Sequence, residues 1–161
     1  MLVNKEIERK WLIDISKVPY DLSKLKPLVM EQSYISFSPT VRLRSVNDKK
    51  FILCVKTRPA PGSLSRDEFE VELSREQYTH LLTKTEGNII RKKRYCLKDD
   101  DGHTLEFDIF EGSLEGLSYM EIEFSSDDEA LSYPNPSWAI KDVTFDNRYK
   151  NAVLAQKGKP E

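Results

Sequence analysis

Apolar and charged residues alternate one for one along most of this chain. In residues 5–13, Ile7, Trp11 and Ile13 share one parity, while Glu6, Glu8 and Lys10 share the other. That two-residue period predicts a β-strand with one apolar face and one charged face. The same pattern predicts strands at residues 32–37, 40–45, 50–56, 66–73, 89–97, 104–110 and 117–124. Asn47-Asp48 predicts a tight hairpin, and the run from Asp99 to Gly102 a second turn. Pro19 and Pro27 bracket a linker or helical turn over residues 14–28, and residues 58–65 read as a loop by composition. Ser74 followed by Glu76 and Gln77 predicts a helix start, with the helix running to about residue 84. A short acidic helix over 126–131, a loop over 133–136 and a closing helix over 144–156 complete the expected elements.

Eight strands joined by hairpin-length connections predict an α+β fold dominated by an antiparallel sheet, with two or three helices. Eight antiparallel strands can close into a β-barrel, which removes the exposed edges. At 161 residues the chain predicts one domain over its whole length.

The charged parity falls into pairs of a single sign. Glu6/Glu8, Glu68/Glu70, Glu106/Asp108 and Glu121/Glu123 are acidic; Arg42/Arg44 and Lys92/Arg94 are basic. Two carboxylates at i and i+2 point the same way, roughly 7 Å apart. A sheet face that merely met water would intermix signs more, because like neighbours cost roughly 0.2–1 kcal/mol. Brought together inside a barrel, the acids suit a hard divalent cation such as Mg²⁺ or Mn²⁺. The bases suit a phosphate chain, which arginine can grip bidentately. The bland alternative is a solvated face of an ordinary sheet.

Composition adds limits. Apolar residues make up 39% and charged residues 32%, and 25 basic against 27 acidic side chains leave a net charge of −2. That balance does not favour nucleic acid as a partner. Cys54 and Cys96 fit no metal-binding spacing and are too few for a disulfide framework; they read as small buried or barrel-facing residues in a reducing compartment. No apolar run approaches a membrane span, and the start of the chain lacks a signal-peptide layout, so the expected location is the cytoplasm.

Glu6-Ile7-Glu8-Arg9-Lys10 resembles the E-x-E-x-K signature of the CYTH superfamily, the triphosphate tunnel metalloenzymes. Five loosely specified positions are a weak signal; their order with the rest is a strong one. Val41 to Arg44 resembles the family's paired-arginine strand, Cys54-Val55-Lys56 its lone-lysine strand and Arg66 to Glu70 its R-x-E-x-E strand. Lys92 to Tyr95, Glu106 to Asp108, Glu121 to Glu123 and the segment from Val143 to Tyr149 resemble its remaining landmarks.

The resemblance covers essentially the whole chain and implies an eight-stranded antiparallel barrel that binds a small-molecule triphosphate with Mg²⁺ or Mn²⁺. It implies hydrolysis of the terminal phosphate of tripolyphosphate or of a nucleoside or organic triphosphate, as in the small bacterial inorganic triphosphatases. The alternatives are a class IV-type adenylate cyclase and a polyphosphate-binding module without turnover. The few residues before Glu6 lower the cyclase reading. By the same resemblance, Glu6, Glu8, Glu68, Glu70, Asp108, Glu121 and Glu123 hold metal. Lys10, Arg42, Arg44, Lys56, Arg66, Lys92, Arg94 and Arg148 grip phosphate. Glu6, Glu8, Lys10, Arg42, Arg44 and Asp108 form the expected catalytic set. A homodimer fits this reading, and neither nucleic acid nor membrane is an expected partner.

Parity leaves Arg9, Arg91 and Lys93 as exterior charges and Glu72 as solvent-facing. His80 and His103 read as surface residues, Asp99 to Asp101 as a hairpin tip, and Trp11 and Trp138 as packing residues.

Overall fold

The first strand, β1 (Val3–Ile13), has a different neighbour on each half. Val3 to Ile7 pair with one strand and Glu8 to Leu12 with another, and this closes the sheet on itself. The computed structural model describes residues 3–57 and 61–161. Its further strands are β2 (Leu28–Phe37), β3 (Thr40–Val46), β4 (Lys50–Lys56), β5 (Ser65–Leu73), β6 (Glu86–Lys98), β7 (Thr104–Glu111), β8 (Ser118–Glu123) and β9 (Ala139–Asp142). The ring runs β1-β5-β4-β3-β2-β6-β7-β8 and back to β1, all antiparallel, and β9 adds to the end of β1. This is the closed eight-stranded antiparallel barrel that the family resemblance implies and that the alternation allows.

Among the described residues three α-helices accompany it: α1 (Arg75–Leu82), α2 (Asp127–Ser132) and α3 (Asn151–Lys157). Ser74 caps α1 through a reciprocal box with Gln77, as its sequence predicts. The hairpin at Asn47-Asp48 has positive φ at both residues (53° and 52°), the backbone hand that suits a tight turn between twisted strands. No helix among the described residues is long and apolar enough to cross a membrane.

Four details differ from the sequence-based expectation. The strand β9 has no alternating apolar signal and forms because Trp11 and Leu12 offer it a free edge. The closing helix begins later than residue 144. Thr144 is tied to the Lys10 backbone, and Asp146 caps a separate 3-10 turn (Asn147–Tyr149) before α3 starts. Residues 14–28 hold two 3-10 turns (Ile15–Lys17 and Leu22–Lys24), each capped by an aspartate. The strand β6 extends back through Gly87, where φ is +75° and a Cβ would meet the Phe37 ring at 2.7 Å and the Ala155 carbonyl at 2.9 Å. Of the expected loop at 58–65, residues 58–60 lie outside the described set.

The apolar parity packs outward. Ile7, Trp11, Leu105, Phe107, Met120 and Ile122 form one cluster, covered by residues 14–28 and the α2-to-β9 region. Leu43 and Phe51 form a second, under Tyr78 of α1. A third cluster gathers Tyr34, Ile90, Phe110 and Tyr119 from the inward parity against Leu154 and Ala155 of α3. The inner wall is therefore apolar at the end that α3 covers and charged over the rest.

Candidate active site

Cross-strand register places the charged residues on one continuous inner face. Directly opposed residues share a face, and the opposed pairs include Glu6–Arg66, Glu8–Glu123 and Lys10–Glu121. They continue through Lys56–Glu68, Cys54–Glu70, Arg42–Cys54 and Arg94–Asp108. This face bounds a cavity of about 1370 Å³. Among the residues expected from sequence, Glu6, Glu8, Lys10, Arg42, Arg44, Lys56 and Arg66 line it. So do Glu68, Glu70, Arg94, Glu121 and Glu123.

Three expected residues do not line it. Lys92 and Asp108 are fully buried and paired with each other at 2.7 Å. Asp108 also accepts from Arg94 Nε at 2.8 Å and from its Nη2 at 2.9 Å, so both carboxylate oxygens are occupied. Arg148 is exposed and folds onto Asp146 at 2.7 Å. In its place the C-terminal segment brings Lys150 to the cavity. No two-residue period runs through a 3-10 turn, so parity gave no signal for Lys150. Burial, with Arg66 and Lys10 nearby, pushes its pKa down.

The cations are unevenly satisfied. Lys56 bonds both oxygens of Glu6 (2.9 and 2.7 Å) and pairs with Glu68 at 3.2 Å. Lys10 donates to the Tyr149 carbonyl at 3.0 Å, stands 3.6 Å from Glu121 and lies over the Tyr119 ring at 4.4 Å. Gln32, with its amide oxygen turned to Arg44, accepts two bonds of 2.9 Å. Burial, with Arg42 and Arg94 adding to it, pushes Arg44 down to about 10. Arg42 is buried, its nearest carboxylate is Glu70 at 4.0 Å, and its Nε has no hydrogen-bond partner among the described residues. A buried guanidinium with a free donor is prepared for an anion.

The acids are uneven too. Glu121 is held well below the usual carboxylate range: burial works against this, and Lys10, Arg94 and Lys92 outweigh it. Glu8 goes the other way, raised by burial, then by Glu121 and Glu6. Burial also raises Glu123, helped by Glu6, Glu106 and Glu68. Glu8 and Glu123 face each other across β1 and β8, and neither has a cationic side chain within 4.0 Å among the described residues. Opposed like charges with no counterion are unfavourable unless a proton or a cation is shared between them. The donor set is all oxygen, which fits a hard divalent cation.

Outside the barrel, two residues differ from their expected surface roles. Arg9 points away from the cavity as parity predicts, yet it is buried. It donates to the carbonyls of Ala130 and Tyr133 and to Asn135 and Asp142, pinning the segment that leads into β9. His103 bridges Asp99 (3.3 Å) and Glu129 (2.8 Å), joining the β6–β7 turn to α2. Cys54 is buried, while Cys96 is exposed.

Known proteins resemble this chain over nearly its full length. Residues 4–142 match the family model described as the CYTH domain. An inorganic triphosphatase of Nitrosomonas europaea is 36% identical over 154 residues, covering 93% of this chain and 96% of that protein. An inorganic triphosphatase of Acetivibrio thermocellus is 34% identical over 157 residues, covering 96% and 95%. A crystal structure of an inorganic triphosphatase superposes with a TM-score of 0.68 at 32% identity, covering 96% of this chain and 97% of the other.

Proposed function

The chain belongs to the CYTH domain family, and from that premise we propose that it is a divalent-cation-dependent triphosphatase acting on inorganic tripolyphosphate. One observation carries the reading. An uncompensated carboxylate pair, Glu8 opposite Glu123, shares a cavity with a buried arginine whose Nε is free. Such a site lacks one cation and one anion, and a metal–triphosphate complex supplies both.

In this reading Glu6, Glu8, Glu121 and Glu123 hold the cation, either Mg²⁺ or Mn²⁺. A bound cation of that kind would neutralise phosphate charge and polarise the phosphoryl oxygens. Arg42 and Arg44 grip the phosphate chain from β3, and Lys10, Lys56, Arg66 and Arg94 grip it from the surrounding strands. Lys150 closes the grip from the C-terminal segment. These cations offset the charge that develops on the transferred phosphoryl group. Glu68 and Glu70 set the positions of Lys56 and Arg42 before substrate arrives. Asp108 is a positioning residue: it fixes Lys92 and Arg94 and is sealed off from the cavity that Glu6 lines. The names of the two relatives, each over a third of identical positions, support inorganic triphosphate over a nucleotide.

The test is product analysis with Mg²⁺ or Mn²⁺. Tripolyphosphate is expected to yield equal amounts of orthophosphate and pyrophosphate. An inert tripolyphosphate together with formation of cyclic AMP and pyrophosphate from ATP would replace this reading with a cyclase. Tight tripolyphosphate binding with no product would replace it with a binding module.

A further inference from the structure

Where the C-terminal segment meets the inner wall, the cavity gains a polar group without charge. Asn151, the first residue of α3, is half-buried and lines the cavity. Its side-chain oxygen accepts a hydrogen bond of 2.6 Å from the hydroxyl of Tyr119, a fully buried residue of β8. Its amide nitrogen has no hydrogen-bond partner among the described residues. Resting on the triphosphate reading above, we propose that Asn151 is a further phosphate ligand, donating from its amide nitrogen, and that Tyr119 positions it.

An asparagine side chain has an accepting end and a donating end, and phosphate oxygens need the donating one. Tyr119 decides which end the cavity meets. A phenol carries its proton at neutral pH and donates it to the amide oxygen, leaving both amide N–H groups for the anion. The bond is made before substrate arrives, so Asn151 gives up little rotamer freedom when phosphate binds.

The surroundings fit this role. The Tyr119 ring that anchors Asn151 also lies 4.4 Å from the Lys10 ammonium, which donates to the Tyr149 carbonyl at 3.0 Å. Three successive residues thus serve one wall: Tyr149 holds Lys10, Lys150 brings a charge and Asn151 brings a neutral donor. Burial and neighbouring cations already push Arg44 and Lys150 down, so another positive charge would add to their repulsion. An amide adds a hydrogen bond to phosphate and no charge.

The experiment is steady-state orthophosphate release from tripolyphosphate with Mg²⁺, resolved into KM and kcat. Asn151→Ala should raise KM about tenfold or more and leave kcat within about threefold, the signature of a lost binding contact. Tyr119→Phe keeps the ring beside Lys10 and loses only the hydroxyl; it should raise KM about three- to tenfold. The double variant should match Asn151→Ala, because the hydroxyl acts only through the amide. Two independent structural losses would multiply instead. Thermal unfolding checks each fold. The start of α3 has no side-chain cap to lose, so Asn151→Ala keeps the test decisive if Tyr119→Phe unfolds. An unchanged KM in either folded single variant, or effects that multiply in the double variant, would overturn the proposal. A wild type inert toward tripolyphosphate would overturn the triphosphate reading and this inference with it. An active wild type with an unchanged KM in Asn151→Ala overturns this inference alone.

Discussion

Two carboxylates on the same inner face, Asp108 and Glu8, live in opposite circumstances. Asp108 is sealed from solvent, with both oxygens filled by Lys92 and Arg94. Glu8 lines the cavity with no cation within 4.0 Å among the described residues, and burial, Glu121 and Glu6 raise it against the weaker pull of Lys10 and Lys56. The first is a finished ion cluster; the second is half of one. A finished cluster contributes to shape, because removing one partner strands a buried charge. A half-finished one raises the energy of the empty protein and lowers that of the loaded one. The contrast separates residues that build the tunnel from residues that work in it, although the sequence motif treats them alike.

The largest expected effect is on the finished side. Asp108→Ala should cost about 3–5 kcal/mol in urea unfolding, because Lys92 and Arg94 lose their shared partner. A loss under about 1 kcal/mol would mean that the cluster is not structural. Next comes the unfinished side. Glu8→Gln should lower kcat/KM for tripolyphosphate about 10²–10³-fold, the scale seen when one electrostatic contact at a reacting centre is removed. Its unfolding free energy should be unchanged or slightly higher than wild type, since a raised carboxylate is replaced by a neutral amide. A variant that is both inactive and destabilised would erase the distinction from Asp108.

The smallest effect lies outside the cavity, where His103 joins half-buried Asp99 to exposed Glu129. The bond to Glu129 raises its pKa above 6.5, and Asp99 adds to this. A raised histidine stabilises fully below its unfolded value, and that contribution is lost as pH rises through the folded value. Wild-type stability should therefore fall modestly as pH increases from about 6.5, and His103→Gln should flatten that slope. An identical slope in both proteins would show that this bridge carries no linkage.

Alternation made the barrel legible, because a period of two both names a strand and sorts its faces. It placed Ile7 and Trp11 outside and Glu6, Glu8 and Lys10 inside, as the register has them. Parity gives a face and says nothing of depth. It could not separate Asp108 from Glu106, which line up on the same strand, yet only Glu106 reaches the cavity. Nor could it see Arg9 as buried, since its partners lie 121 to 133 positions away in sequence. The four-residue β9 and the turn carrying Lys150 are too short to show a period, and tertiary contacts alone fix them.

The direct test of the half-finished cluster is Mn²⁺ binding to the substrate-free protein, read by electron paramagnetic resonance. Wild type should bind, and Glu8→Gln and Glu123→Gln should each weaken binding about tenfold or more. Equal affinity in the wild type and in a variant lacking both carboxylates would contradict the account.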